Sequence, residues 1–190
     1  MEKLKLVKLT IEYKSQAKEY IDEFYKYNSR INGVGGLDRF LKNSTYEEWL
    51  LKIENDEKRI ITEEKVPAKT MFLVREVDNM IIGMVNIRLA LNEKLKNRNG
   101  NIGYSIRPTQ RRKGYNKYNL FLALLECKKA GLENVMLDCE KSNIGSAKTI
   151  MALGGILERE YLDTDLNEIE QVYWIDVNKS INENSNKYIQ

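Results

Sequence analysis

Between residues 102 and 139 the chain reads as strand, proline stop, basic loop, glycine, long helix, second glycine and strand again, and this order restricts the fold more than any other feature. Ile102-Gly-Tyr-Ser-Ile106 has strand character and Pro108 ends it. A helix is predicted from about residue 112 to 130, with Tyr115, Tyr118, Leu122 and Leu125 on one face. Lys128 and Lys129 suit its last turn and Gly131 its C-terminal cap. Val135-Met-Leu-Asp-Cys139 is the next strand. Two strands joined through a helix require a sheet with helices packed on its faces.

The flanks extend this pattern. Residues 4–11 alternate apolar and polar as a first strand; Ser15 is placed to cap a helix whose face is Ala17, Tyr20, Ile21 and Phe24. The glycines at 33, 35 and 36 read as a loop between helices, since no strand precedes them to make a dinucleotide fingerprint. Thr45 opens a second helix carrying Trp49, Leu50 and Ile53, which frays into a charged loop over 54–68. Residues 71–74 and 80–87 form a hairpin about Asp78-Asn79, and 91–100 is a polar excursion. Beyond 139 come a short helix over 143–153 closed by Gly154-Gly155, strands near 156–163 and 169–177, and a polar, Asn-rich tail over 178–190 expected to be flexible. The fold class is α/β: a mixed, mostly antiparallel twisted sheet of six to seven strands flanked by helices, in a single domain over 1–177.

Composition removes several chemistries. The chain has no histidine among its 190 residues, which excludes Ser-His and Cys-His pairs and histidine metal sites. Cys127 and Cys139 are too few for a zinc site or a disulfide framework and sit among apolar residues as buried thiols; no metal is expected. The net charge of +3, from 31 basic and 28 acidic side chains, is too small to suggest nucleic acid. The start, Met-Glu-Lys-Leu-Lys, precedes no long apolar stretch, so neither a signal peptide nor a membrane span is expected, and a cytoplasmic setting fits.

The chemistry concentrates in Ile106-Arg-Pro-Thr-Gln-Arg-Arg-Lys-Gly-Tyr-Asn116. A helix start leaves backbone N–H groups unpaired at the positive end of its dipole, and Arg111, Arg112 and Lys113 add full charges there. Gly114 lets a bulky anion approach the backbone. A phosphate or diphosphate site and a merely solvated basic loop both satisfy this spacing.

The segment resembles the acetyl-CoA-binding motif of the GNAT superfamily of N-acetyltransferases, with Arg111, Gly114 and Asn116 at its signature positions and Ile106 at its apolar one. A second block, Asp138-Cys139-Glu140 followed by Ser142-Asn143, Ser146, Ala147 and Leu153-Gly154, resembles the family's next element, in the right order. The resemblance is close over 71–177 and extends over 1–60 only in element order; within the superfamily it is nearest to a group of bacterial predicted acetyltransferases. It implies a V-shaped cleft between the strands ending at Ile106 and Cys139. Backbone groups near Ile106 would pair with the pantetheine arm and the amides from Arg111 through Tyr115 to Asn116 would hold the diphosphate. Asn143 would bond the cofactor's amides, with Ser146 and Lys148 beside them. The implied donor is acetyl-CoA, the acceptor a primary amine, and a homodimer is allowed. Two departures stand out: Asn116 replaces a Gly or Ala and is expected to crowd the phosphate somewhat, though its amide could donate to it, giving weaker but intact binding, and Ile150 replaces a tyrosine that in many members protonates the leaving thiolate. Gly155 also replaces a common aromatic.

Without histidine, a carboxylate acting through water is the expected base, for which Glu140 is the candidate against a solvated strand-end charge. Tyr104 is the candidate acid against a cleft-wall tyrosine. Tyr173 and Trp174 are divided between core and acceptor pocket, and Arg88 between an acceptor contact and an exposed strand position. A non-catalytic acyl-CoA-binding or regulatory domain is the alternative reading, and a nucleic-acid module using Arg111–Lys113 a weaker one.

Overall fold

A computed structural model describes residues 2–189. The strands are β1 (Leu4–Val7), β2 (Ala68–Arg75), β3 (Met80–Arg88), β4 (Ile102–Ile106), β5 (Asn134–Glu140), β6 (Ile156–Asp163) and β7 (Glu168–Asp176). The helices are α1 (Lys14–Lys26), α2 (Leu37–Asn43), α3 (Tyr46–Glu57), α4 (Glu93–Asn97), α5 (Tyr115–Lys129), α6 (Ile144–Ala152) and α7 (Val177–Tyr188). The strands form two antiparallel sheets, ordered β1-β2-β3-β4 and β5-β7-β6, with helices packed against them. This is the α/β class expected.

The sheets meet at one point. The Asn101 amide donates to the Met136 carbonyl at 2.7 Å, and the Asn101 side chain accepts from the Met136 amide at 2.8 Å while donating to Arg88 at 3.0 Å. A Cβ on Gly100 would lie 2.3 Å from the Met136 carbonyl oxygen, so only glycine allows this approach. Beyond that junction β4 and β5 share no ladder, and the gap between them becomes a cleft.

Local chemistry accounts for the boundaries that differ from expectation. β1 stops at Val7, and Ser15 lies inside α1, its hydroxyl bonded to Glu19, so Tyr13 takes the cap position. The glycine loop leads into the short α2 before Thr45 opens α3 with a full capping box to Glu48, and α3 continues to Glu57. Helix α5 begins at Tyr115 because Arg112 (φ 66°) and Gly114 (φ 83°) are left-handed, a conformation that cannot open a right-handed helix. Leu120, Phe121, Ala123, Leu124 and Cys127 of α5 are fully buried, so the helix is covered nearly all round and the expected single face was too narrow.

The covering element is the tail. Residues expected to be flexible form α7, capped by Asp176, with Val177, Ile181 and Asn184 buried. The Tyr188 ring packs edge-on against Tyr118 at 4.8 Å and lies tilted against Phe121 at 5.2 Å. The apolar spacing 177, 181, 188 in an Asn-rich stretch is a sparse helical stripe that overall polarity masks. Among the described residues no helix is long and apolar enough to cross a membrane.

Candidate active site

The free edge of β4 is the first component. The Arg107 amide donates to Ile82 at 2.9 Å and the Arg88 amide to Asn101 at 2.7 Å. The two-residue alternation of an antiparallel ladder then turns the N–H and C=O of Tyr104 and Ile106 away from β3. They face a cavity of about 880 Å³ between β4, β5 and the first turns of α5 and α6.

One end of this cavity is built to receive an anion. After β4 the chain makes a single 3-10 turn at Pro108–Gln110, passes through the left-handed residues and enters α5. The amides of Arg112, Lys113, Gly114, Tyr115 and Asn116 donate to no acceptor among the described residues. A Cβ on Gly114 would meet nothing within 4 Å, so the row opens onto free space. Arg112, Lys117 and Lys148 line this end with exposed cationic side chains. Unpaired donors at the start of a 15-residue helix, flanked by cations, fit a diphosphate.

Each of the expected site residues except Lys113 lines the cavity, and several do so differently from expectation. Lys113 turns to Gln110 at 2.9 Å. Arg111 latches the loop: its Nε donates to the Ile106 carbonyl at 3.1 Å, its Nη2 to Ser29 at 2.7 Å, and its guanidinium lies over Phe24. Its charge is therefore committed, and the Ile106 carbonyl already has a donor. Tyr115 offers only backbone, because its ring packs with Leu73, Ile82 and Ile106 and its hydroxyl reaches Glu2. The Asn143 oxygen caps α6 by accepting from Ser146 at 3.1 Å, leaving its NH2 for a ligand. Asn116 does not crowd the amide row: its Nδ2 turns to Thr149 on α6 at 3.4 Å, while its Oδ1 is buried without a partner.

The floor of the cleft pairs Tyr104 with Ser146, hydroxyl to hydroxyl at 2.7 Å. Burial pushes the Tyr104 pKa up, against the opposing Ser146 hydrogen bond, so its hydroxyl stays protonated. Ile150 is fully buried in the core, and a Cβ on Gly155 would approach its Cγ2 to 2.4 Å. The departures at Ile150 and Gly155 are thus one packing solution, a branched aliphatic side chain seated on a bare glycine. Both thiols are buried, with Cys139 pushed up to about 11 and Cys127 to about 12 by desolvation.

The other end is acidic. Glu140 lines it, but its carboxylate is engaged by Arg30, whose guanidinium also grips Glu168 through Nη1 at 2.6 Å and Nη2 at 2.9 Å. A solvent-bridged base role for Glu140 therefore requires Arg30 to let go. Glu170 sits opposite Glu140 in the β5–β7 register, and oxygens of Glu140, Glu168 and Glu170 lie within 4.8 Å of one another. Burial, then Asp138, Glu140 and Asp163, raise the Glu170 pKa to about 7, with Arg98 opposing.

Arg88 is neither exposed nor near the acceptor end. It donates to the carbonyls of Asn99 and Gly100 at 3.0 and 3.1 Å and braces the sheet junction, where burial lowers its pKa. Tyr173 belongs to the core, and Trp174 lies on the opposite face of β7. Sequence reasoning passed over Lys117, Arg30, Glu168 and Glu170. Only Lys117 had a signal, three residues after Gly114 on the first turn of the helix.

A sequence profile described as an acetyltransferase (GNAT) domain matches residues 16–156. No curated protein matches significantly. Among solved structures, the chain is similar to a mutant spermidine/spermine N-acetyltransferase from Vibrio cholerae (15% identity, 95% of this chain and 97% of that one, TM-score 0.67). It is also similar to a microcin C7 self-immunity acetyltransferase in complex with acetyl-CoA and AMP (15%, 93% of each chain, TM-score 0.64). A third is a ribosomal-protein-S5-alanine acetyltransferase from Vibrio fischeri (19%, 91% of each chain, TM-score 0.62). At these identities the structures speak for the fold, and the profile match over most of the chain shows that the chain belongs to the GNAT acetyltransferase family.

Proposed function

We propose that this acetyltransferase binds acetyl-CoA along the free edge of β4 and transfers its acetyl group to a primary amine by direct attack on the thioester. The reading rests above all on the row of unpartnered amides from Arg112 to Asn116 opening onto the cavity. Those amides would hold the diphosphate, with Arg112, Lys117 and Lys148 screening its charge. The pantetheine arm would pair with the backbone of Tyr104 and the Ile106 amide, as an added strand does, and with the Asn143 NH2.

In the transfer, the neutral amine forms the C–N bond while the C–S bond breaks. Once Arg30 releases Glu140, the proton lost by the ammonium passes through water to that carboxylate; the second proton, shed as the nitrogen becomes an amide, goes to water, and the departing thiolate accepts a hydrogen bond from the Tyr104 hydroxyl and is protonated from the cleft. Tyr104 suits a hydrogen-bonding role because burial keeps its hydroxyl protonated, and its partner Ser146 lines the cleft beside it. Positioning of the amine beside the carbonyl, with a hydroxyl donor near the developing oxyanion, supplies the rest.

Offering acetyl-CoA with polyamines, amino acids, aminoglycosides and peptides, and reading free thiol, tests the reading. Amine-dependent thiol release is expected. Tight acetyl-CoA binding with no release for any amine would instead favour the non-catalytic acyl-CoA-binding alternative, which the packed Ile150 and the clamped Glu140 keep in view.

A further inference from the structure

The acidic end of the cavity carries more negative charge than its single clamp neutralises. Glu140, Glu168 and Glu170 converge, and one guanidinium, from Arg30, faces them. Glu170 is only 7% exposed and makes no hydrogen bond or ion pair among the described residues, although its oxygen lies within 4.8 Å of both other carboxylates. Like charges directly opposite in a ladder are unfavourable, and a buried carboxylate without a partner more so. Neighbouring Asp138 accepts from the Asn99 amide at 2.6 Å, and Asp163 is paired with Arg98, so neither relieves Glu170.

Arg30 itself shows what the site takes. It comes from the loop after α1, its side chain is 52% exposed, and apart from the two carboxylates nothing holds its guanidinium. It lines the same cavity as the amide row. A long flexible cation held between two cavity-lining carboxylates, with the Glu170 carboxylate behind them within 4.8 Å of both, occupies the place of a removable ligand.

We propose that Glu140, Glu168 and Glu170 form a subsite for an acceptor that carries a second cationic group besides the amine to be acetylated, and that Arg30 is a tethered competitor for it. This rests on the amine-acetylating reading above and narrows its acceptor to diamines and longer polycations. The reacting ammonium lies at Glu140, toward the thioester, and the distal cation between Glu168 and Glu170. The buried carboxyl of Glu170, costly to ionise alone, is satisfied when that cation arrives.

Calorimetry of the full chain with coenzyme A present, using 1,4-diaminobutane and n-butylamine as probes, separates this inference from the parent reading, because it needs no turnover. The diamine is expected to bind at least about tenfold more tightly than the monoamine. Glu168→Gln should remove that preference, and Arg30→Ala should tighten the diamine severalfold. Equal affinities for the two amines, a diamine affinity indifferent to Glu168→Gln, or weaker binding in Arg30→Ala would overturn the proposal. So would magnesium binding at the three carboxylates that the diamine cannot displace. A loss of acetyl-CoA binding would count against the parent reading alone.

Discussion

The two ends of the cleft solve opposite electrostatic problems by opposite means. At the start of α5 the donors are backbone amides, fixed in place and left without partners, and the surrounding cations remain in water. At the β5–β7 end the groups are side-chain carboxylates, one of them raised to about 7 by burial and then by its acidic neighbours, and a loop arginine is folded in to hold the other two. The first end is preorganised for a ligand that keeps its place through the reaction. The second is held by a loop side chain that is half exposed, and on the proposed reading this clamp gives way to the acceptor. A transferase that keeps one substrate class and selects another needs this asymmetry.

The largest effect is expected from Gly114→Val. A β-branched residue at φ 83° is strained and its side chain projects into the phosphate space, so acetyl-CoA affinity should fall roughly a thousandfold. Diamine binding at the other end should be spared, and a matching loss there would mean the ends are not separate. Next is Glu170→Gln, read by unfolding at several pH values. Glu170 holds its proton more tightly folded than unfolded, so it adds stability below its ordinary 4.5 that is lost as pH rises through about 7. The Gln variant should flatten that decline, by on the order of 3 kcal/mol at most. An unchanged pH profile of stability would mean that Glu170 is not strained.

Tyr104→Phe removes the donor between the two ends. Turnover should fall about fivefold with acetyl-CoA binding unaltered, since a neutral hydrogen bond made in the transition state is worth roughly 1 kcal/mol. The smallest effect belongs to Lys148→Ala, about threefold in acetyl-CoA affinity, because an exposed cation is screened by solvent. A larger loss would move Lys148 from the rim into direct contact with phosphate.

The same comparison explains what the sequence could disclose. The anion end is contiguous: Pro108, the left-handed Arg112 and Gly114, and the helix start follow one another, so local backbone chemistry spells it out. The acidic end is assembled from residues 30, 140, 168 and 170, which no local pattern connects. The latch that Arg111 makes to Ile106, Ser29 and Phe24 was hidden for a related reason, since it depends on where α1 lies. The tail was misjudged because its three apolar anchors are diluted by polar residues and acquire meaning only against Tyr118 and Phe121. The order of the strands and of α1, α3, α5 and α6 was legible, as hydrophobic periodicity is local, whereas the short α2 and α4 and the Asn101–Met136 junction that opens the cleft were not.

The most direct measurement is calorimetric titration of the intact protein with 4′-phosphopantetheine and with pantetheine, which differ by one phosphate. If the amides at the head of α5 cradle phosphate, the phosphorylated arm binds at least about tenfold more tightly, and Gly114→Val erases the difference. Equal affinities for the two arms in the unaltered protein would contradict that assignment.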